Sequence, residues 1–344
     1  MNPQITRRQL LAGAGAMSAL AMFPKLAFAQ QGSATTAIYP GAWEEAYRGI
    51  VAEALRETHG IDLQMQPLFA VDQIAQARAA RGNPSFDTFV LDPGPRVMAI
   101  ENGLVDIFDA SRLESSAHLE PGMIDEHGVP VAAQFVGIAY NPNRFDTPPT
   151  DWADLFEEPY VSRLGLTGFQ TTFGTVSIIE MAKAFGGTEE NVEPFFKELQ
   201  RILPHVATIG TPASMPSLFQ QGQCDIMYTN TQTVGTLRAR GVDIEFVRPS
   251  SGVITFFTTM HIARGAHEVA NAYKYIDTVL STPVQQQLMQ APYFMAPVNS
   301  EVTLADDLPL SDMSEIADMI QHDWSVINPR RAEWIERFNR EVAS

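Results

Sequence analysis

The sequence predicts an α/β protein built as two lobes, each a mixed, mostly parallel sheet flanked by helices and joined by hinge strands. Three observations predict it. Strand-like apolar runs alternate with helix-length runs in two separate stretches of the chain. Two long apolar strands, 131–140 and 253–262, flank the second stretch, so the chain crosses twice between the lobes. The chain behind its first thirty residues also exceeds what one hydrophobic core usually serves.

Taken in order, residues 1–29 read as an export signal. Thr6-Arg7-Arg8-Gln9-Leu10-Leu11 leads into an apolar run ending at Phe23, and Ala27-Phe28-Ala29 forms a small-residue cleavage site before Gln30. The paired arginines followed by leucines point to the twin-arginine route. The apolar run is shorter than the roughly 20 residues that span a bilayer, so a membrane anchor is disfavoured and the processed chain is not expected to insert in a membrane. Gly13-Ala14-Gly15 lies inside this leader, follows no strand, and is set aside as a nucleotide-binding fingerprint.

A strand over 34–39 ends at Pro40-Gly41, and a helix over 42–59 carries Ala46, Ile50, Val51 and Leu55 at helical spacing with Gly60 as its stop. Strand 61–67, helix 71–81, strand 88–91 and helix 94–102 follow. After the first crossing strand and Pro148-Pro149 the alternation restarts: strand 164–167, helices 174–185 and 192–203, helix 215–221, strand 224–229, helix 232–240 and strand 243–247. The closing section, 268–280, 283–289 and 313–342, reads as helical and exterior. The expected map is therefore 30–138 with 259–312 as the first lobe, 139–258 as the second, and 313–344 as C-terminal helices packing on the lobes.

Composition narrows the function classes. With 45% hydrophobic and 18% charged residues the chain has material for real cores and too little charge for disorder. Its single cysteine, Cys224, permits no intrachain disulfide. The net charge of -17 includes Arg7, Arg8 and Lys25, so loss of the leader makes the chain more acidic still, which disfavours nucleic acid and anionic lipid as partners. The seven histidines show no zinc spacing, and no Gly-x-Ser-x-Gly elbow or phosphate loop marks an enzyme. No metal, cofactor or catalytic residue is expected; a secreted hydrolase is the minor alternative.

Several segments together resemble a known family. They are Phe219-Gln220-Gln221-Gly222-Gln223-Cys224-Asp225-Ile226, Gly241-Val242-Asp243-Ile244-Glu245-Phe246-Val247-Arg248-Pro249, the run 270–280, Ser281-Thr282-Pro283-Val284-Gln285-Gln286 and Ala296-Pro297-Val298-Asn299. In this order, behind an export signal, they resemble the extracellular solute-binding proteins of ABC importers, in the spermidine/putrescine-binding-like branch. The resemblance implies a periplasmic-binding-protein fold of type II, a periplasmic location, a monomer that closes on one small-molecule solute, and docking on ABC permease subunits.

Parallel strands place their C-terminal loops on one edge, where open sheets bind ligands. On the first lobe this nominates Tyr39, Trp43 and Asp92: aromatic faces attract an organic cation and the carboxylate meets an ammonium group. Lobe packing is the competing role for both rings, and a turn or helix cap for Asp92. On the second lobe Thr171, Thr172 and Phe173 sit where a strand passes into a helix, an anion-friendly corner or simply a cap. Tyr228 and Asn230 end the strand after Cys224, and Phe256 and Thr258 lie in the second crossing strand; core packing competes for these aromatics.

The branch's tryptophan and acidic ligands are best matched here by Phe256, Thr258 and Asn230, and the 168–173 loop holds no acid. The expected solute is thus a small amine-bearing or zwitterionic molecule rather than a fully cationic polyamine. A carboxylate or phosphonate is the alternative. Ferric ion is disfavoured because Tyr273 and Tyr275 are separated by Lys274 in a helix.

Overall fold

The computed structural model describes residues 32–343; the export signal expected over 1–29 lies outside them. The first half begins with β1 (Gly32–Ile38), then α1 (Ala42–Ala46), which continues through one wide turn, Tyr47–Val51, into α2 (Ala52–His59). Gly60 closes α2 at φ 64, a left-handed position that suits a residue without Cβ. Next come β2 (Ile61–Pro67), α3 (Ala70–Ala80), β3 (Thr88–Leu91) and α4 (Pro93–Glu101). β4 (Val129–Tyr140) is buried over its whole length, as a strand covered on both faces must be.

The second half comprises β5 (Leu164–Leu166), α5 (Thr172–Ala184), α6 (Glu193–Ile202), β6 (Thr208–Ile209), α7 (Met215–Gln220), β7 (Ile226–Asn230), α8 (Thr231–Ala239) and β8 (Glu245–Val247). β9 (Ile254–Ile262) returns the chain, followed by α9 (Val269–Leu280), α10 (Thr282–Met289) and α11 (Trp324–Val342). The expected elements match these within a few residues, except the last.

Residues 313–342, expected to be helical, are so only in part. A 3-10 turn, Met313–Asp318, is capped by Asp312 and stops. The chain then extends, and Ile320 pairs with β9: its N–H donates to the Val253 carbonyl at 2.9 Å, and its carbonyl accepts from the Thr255 N–H at 2.8 Å. Satisfying that strand's free edge outweighs local helix preference, because an unpaired buried backbone group costs about as much as a lost hydrogen bond.

The sheet runs β2-β1-β3-β9-β4-β7-β5-β6, with β8 pairing to β4. β1 is parallel to β2 and β3, and β5 is parallel to β6 and β7. Between these groups lies the antiparallel pair β4 and β9, and β3 and β7 are each antiparallel to their neighbour in it. The two parallel groups consequently run in opposite directions and aim their C-terminal ends toward each other. Leu91, the end of β3, pairs with Thr259, while Asn230, the end of β7, pairs with Val136, itself opposite Ile254. The two ends are therefore separated by only ~16 Å along β9.

One cluster of buried apolar side chains gathers Ile38, Tyr47, Val90, Met260 and Tyr275 from the first half with Phe135 of β4. Another gathers Ile138, Phe169, Ile179, Phe196 and Tyr228 with Trp324 and Phe338 of α11.

Candidate functional site

The strand ends converge on Asp92. Pro93 opens α4 at its first position, where a missing N–H is harmless. Asp92 precedes it in extended conformation but makes no side-chain cap bond, which leaves its carboxylate free for other donors. The Thr258 hydroxyl donates to Oδ1 at 2.9 Å and the Thr172 hydroxyl to Oδ2 at 3.1 Å. The backbone N–H of Asp92 donates to the Tyr39 hydroxyl at 3.0 Å. Residues nominated separately from both halves and from a crossing strand thus meet at one carboxyl group.

Burial pushes the Asp92 carboxyl above its ordinary range, opposed by hydrogen bonds from Thr258, Thr172 and Tyr39 and by the charge of Arg331. Burial also raises the Tyr39 phenol well above its ordinary value, and the Asp92 charge adds to this.

The other nominated residues divide by what they touch. Thr171 caps α5, its hydroxyl accepting from the Gly174 N–H at 3.1 Å, so the capping role and the Asp92 contact fall on adjacent threonines. Phe173 packs against the second-half core. Asn230 caps α8 through the Thr233 N–H at 2.9 Å and donates its amide to Gln134 Oε1 at 2.9 Å. The fully buried Tyr228 spends its hydroxyl on both backbone groups of Thr167. Trp43 is buried, stacked on Tyr47 and edge-on to Tyr39, each at 5.7 Å between centroids. These two aromatics are tied into packing and backbone support, the competing role weighed for them.

A cavity of about 310 Å³ lies beside this centre, walled by Pro93, Val97, Phe256, Phe257, His322 and Trp324. Of the nominated residues only Phe256 reaches it. Among the described residues no group of three or more His, Cys, Asp and Glu side chains could hold a metal ion.

The sequence reading missed Arg331 and Gln134. The Arg331 Nε donates to the Phe169 carbonyl at 3.1 Å and to Thr175 Oγ1 at 3.0 Å, and Nη2 donates to the Gln170 carbonyl at 2.9 Å. Its charge acts on Asp92, and burial lowers its own pKa from the ordinary value. No local signal marks it, because it sits in a polar helix expected on the exterior.

A family model for bacterial extracellular solute-binding proteins matches residues 50–314. The chain belongs to this family. It is 22% identical over 201 residues to the spermidine/putrescine-binding periplasmic protein of Escherichia coli (strain K12), a match covering 55% of this chain and 57% of that protein. The chain thus spans little more than half the length of that curated relative.

Among solved structures, an ABC transporter from Clostridium perfringens ATCC 13124 superimposes with a TM-score of 0.74 at 20% identity, covering 90% of this chain and 99% of that one. A GABA receptor superimposes with a TM-score of 0.74 at 19% identity, covering 90% and 98%. At these identities the likeness establishes the fold, that of the periplasmic binding proteins. Among the described residues no helix is long and apolar enough to cross a membrane.

Proposed function

We propose that this family member is the solute-capturing component of an ABC importer: it takes up a small amine-bearing or zwitterionic molecule between two lobes and delivers it to a membrane permease. The supporting observation is the double hydrogen bonding of Asp92, which joins the end of β3 to the first turn of α5 and to β9. An ammonium group that replaces the Thr172 contact gives the ionised carboxylate a charge-assisted partner. A solute bridging Asp92 and the α5 turn favours the closed state, because only differential affinity moves a conformational equilibrium.

In this reading the lobes are 30–138 with 259–312 and 139–258, and the C-terminal segment 313–344 packs across both. The protein acts as a monomer in the periplasm after twin-arginine export and cleavage near Ala29, and carries out no chemistry on its cargo. A relative named for polyamines and a structural neighbour named for GABA agree with an amine-bearing solute.

The test is a thermal-shift and calorimetric screen of amines, amino acids, organic acids and phosphonates. A ligand at 100 times its Kd stabilises the protein by about 2.7 kcal/mol. Binding restricted to organic acids or phosphonates, with Asp92→Asn indifferent, overturns the amine-bearing assignment.

A further inference from the structure

We infer that the cavity beside α4 is a second binding site, one that takes a neutral, polyhydroxylated organic molecule the size of a single ring. The inference goes beyond solute capture at Asp92 and does not depend on it.

α4, the stretch ahead of β4, β9 and the residues leading into α11 supply most of the wall of this cavity of about 310 Å³, a volume at the lower end of small-molecule pockets. Three of the wall residues each carry a buried polar atom without a hydrogen-bond partner: Arg96 Nε, Thr255 Oγ1 and His322 Nε2. Buried polar atoms are seldom left unpaired, because they have given up water and received nothing in exchange. Their gathering on one wall marks a place where something polar is received.

The three atoms ask for different partners. Arg96 gives Nη2 to Asp125 Oδ2, and its Nε–H can only donate. The His322 side chain is 1% exposed, and its Nδ1 lies 2.7 Å from Glu189 Oε1, a carboxylate oxygen that only accepts. Nδ1 therefore carries the proton. Burial lowers the pKa of this histidine, so the ring is neutral at physiological pH and Nε2 is an acceptor. Glu180 Oε1, 3.4 Å from Nε2, is another acceptor and is paired with Lys183 at 2.8 Å. The Thr255 hydroxyl can donate or accept.

Charge and hydrogen-bond type together select the occupant. The charged side chains on the wall are one cation, Arg96, and two acids, Asp125 and Asp323. Arg96 and Asp125 neutralise each other, and Asp323 is exposed at the cap of α11, where solvent screens it. A carboxylate ligand only accepts, which leaves His322 Nε2 unserved and adds negative charge beside Asp125. An ammonium only donates, which leaves the Arg96 Nε–H unserved. A zwitterion offers both but has to shed the hydration of two full charges. Hydroxyl groups accept from Arg96 and donate to His322 at a smaller desolvation cost. Phe256, Phe257 and Trp324 add aromatic surface for the C–H face of a ring.

The experiment titrates myo-inositol, D-glucose and D-arabinose calorimetrically into the full processed chain, beside n-butylamine, butyrate and 4-aminobutyrate. Each titration is repeated in Asp92→Asn, so that a response at the other centre is not counted. In that background at least one polyol should bind saturably, about tenfold or more tightly than any charged probe. Adding Thr255→Val should weaken the polyol by about tenfold while the ligand-free melting temperature holds, because a methyl group replaces an unpaired hydroxyl. Arg96→Lys keeps a cation opposite Asp125 but removes the Nε–H, and should weaken the polyol as well. If no polyol binds, the three atoms are served by water alone and the inference falls. A charged probe preferred in Asp92→Asn overturns the ligand class. Polyol affinity lost in Asp92→Asn itself, or unchanged in both Thr255→Val and Arg96→Lys, overturns the placement.

Discussion

The Thr172 hydroxyl donates to Asp92 Oδ2 at 3.1 Å, a contact between residues 80 apart in the chain. With Thr258 on the other oxygen, both carboxylate oxygens are engaged, one from α5 and one from β9. In the proposed two-lobe reading, opening has to break the Thr172 bond, whereas the Thr258 bond joins neighbours along β3 and β9.

Thr172→Val should remove this link. Leaving a buried carboxylate oxygen without its donor is expected to destabilise the ligand-free protein by about 1–3 kcal/mol and to raise the Asp92 carboxyl further, since the lost bond favours the charged form. Urea unfolding measures the first effect. An unchanged midpoint would mean the bond is not maintained in solution.

Asp92→Asn keeps the shape and discards the charge. The stabilisation that an amine ligand confers on the wild type should vanish in this variant, with little change in the ligand-free melting temperature. Paired thermal-shift curves decide it, and a full shift in the variant would place the ammonium elsewhere.

Trp43→Ala tests packing against binding. Because the ring is buried against Tyr47 and Tyr39, its removal should cost about 3–5 kcal/mol of stability, with affinity affected only secondarily. Intact stability with abolished binding would instead put the ring in the solute site.

Acid sensitivity should arise from His261. It is fully buried, its Nδ1 lies 2.7 Å from the His127 carbonyl and must donate to it, and its Nε2 faces Thr259 Oγ1 at 2.8 Å. Burial lowers its pKa from 6.5 to about 4. The unfolded chain therefore takes up a proton that the folded chain refuses, so the stabilisation is complete above pH 6.5 and declines as pH falls toward 4. His322, lowered mainly by burial, acts in the same direction. Urea midpoints at pH 7, 5.5 and 4.5 should fall progressively in the wild type and less steeply in His261→Asn; equal slopes would remove His261 as the cause.

The sequence reading located nearly every strand and helix because side-chain periodicity and stop signals such as Gly60 are written in neighbouring residues. It placed Tyr39, Asp92, Thr172 and Thr258 at strand ends and on the second crossing strand, and these do meet. Their division of labour was not legible. Asp92 and Thr171 stand alike before a helix, yet Thr171 caps its own helix while Asp92 serves residues 80 and 166 positions away. Trp43 and Tyr228 read as cleft or core until their partners, Tyr47 and Tyr39 for one and the Thr167 backbone for the other, are placed.

By itself the sequence determined an α/β pattern interrupted by two long apolar strands, an acidic composition and a single carboxylate at the close of β3. Tertiary structure alone decided that residues 319–323 leave the helix so that Ile320 pairs with β9, and that α11 carries Arg331 to the loop ahead of Thr172. The physical reason is range: helix and strand preferences act over a few residues, whereas hydrogen-bond partners and charge balance depend on which distant segments the burial of apolar surface brings together.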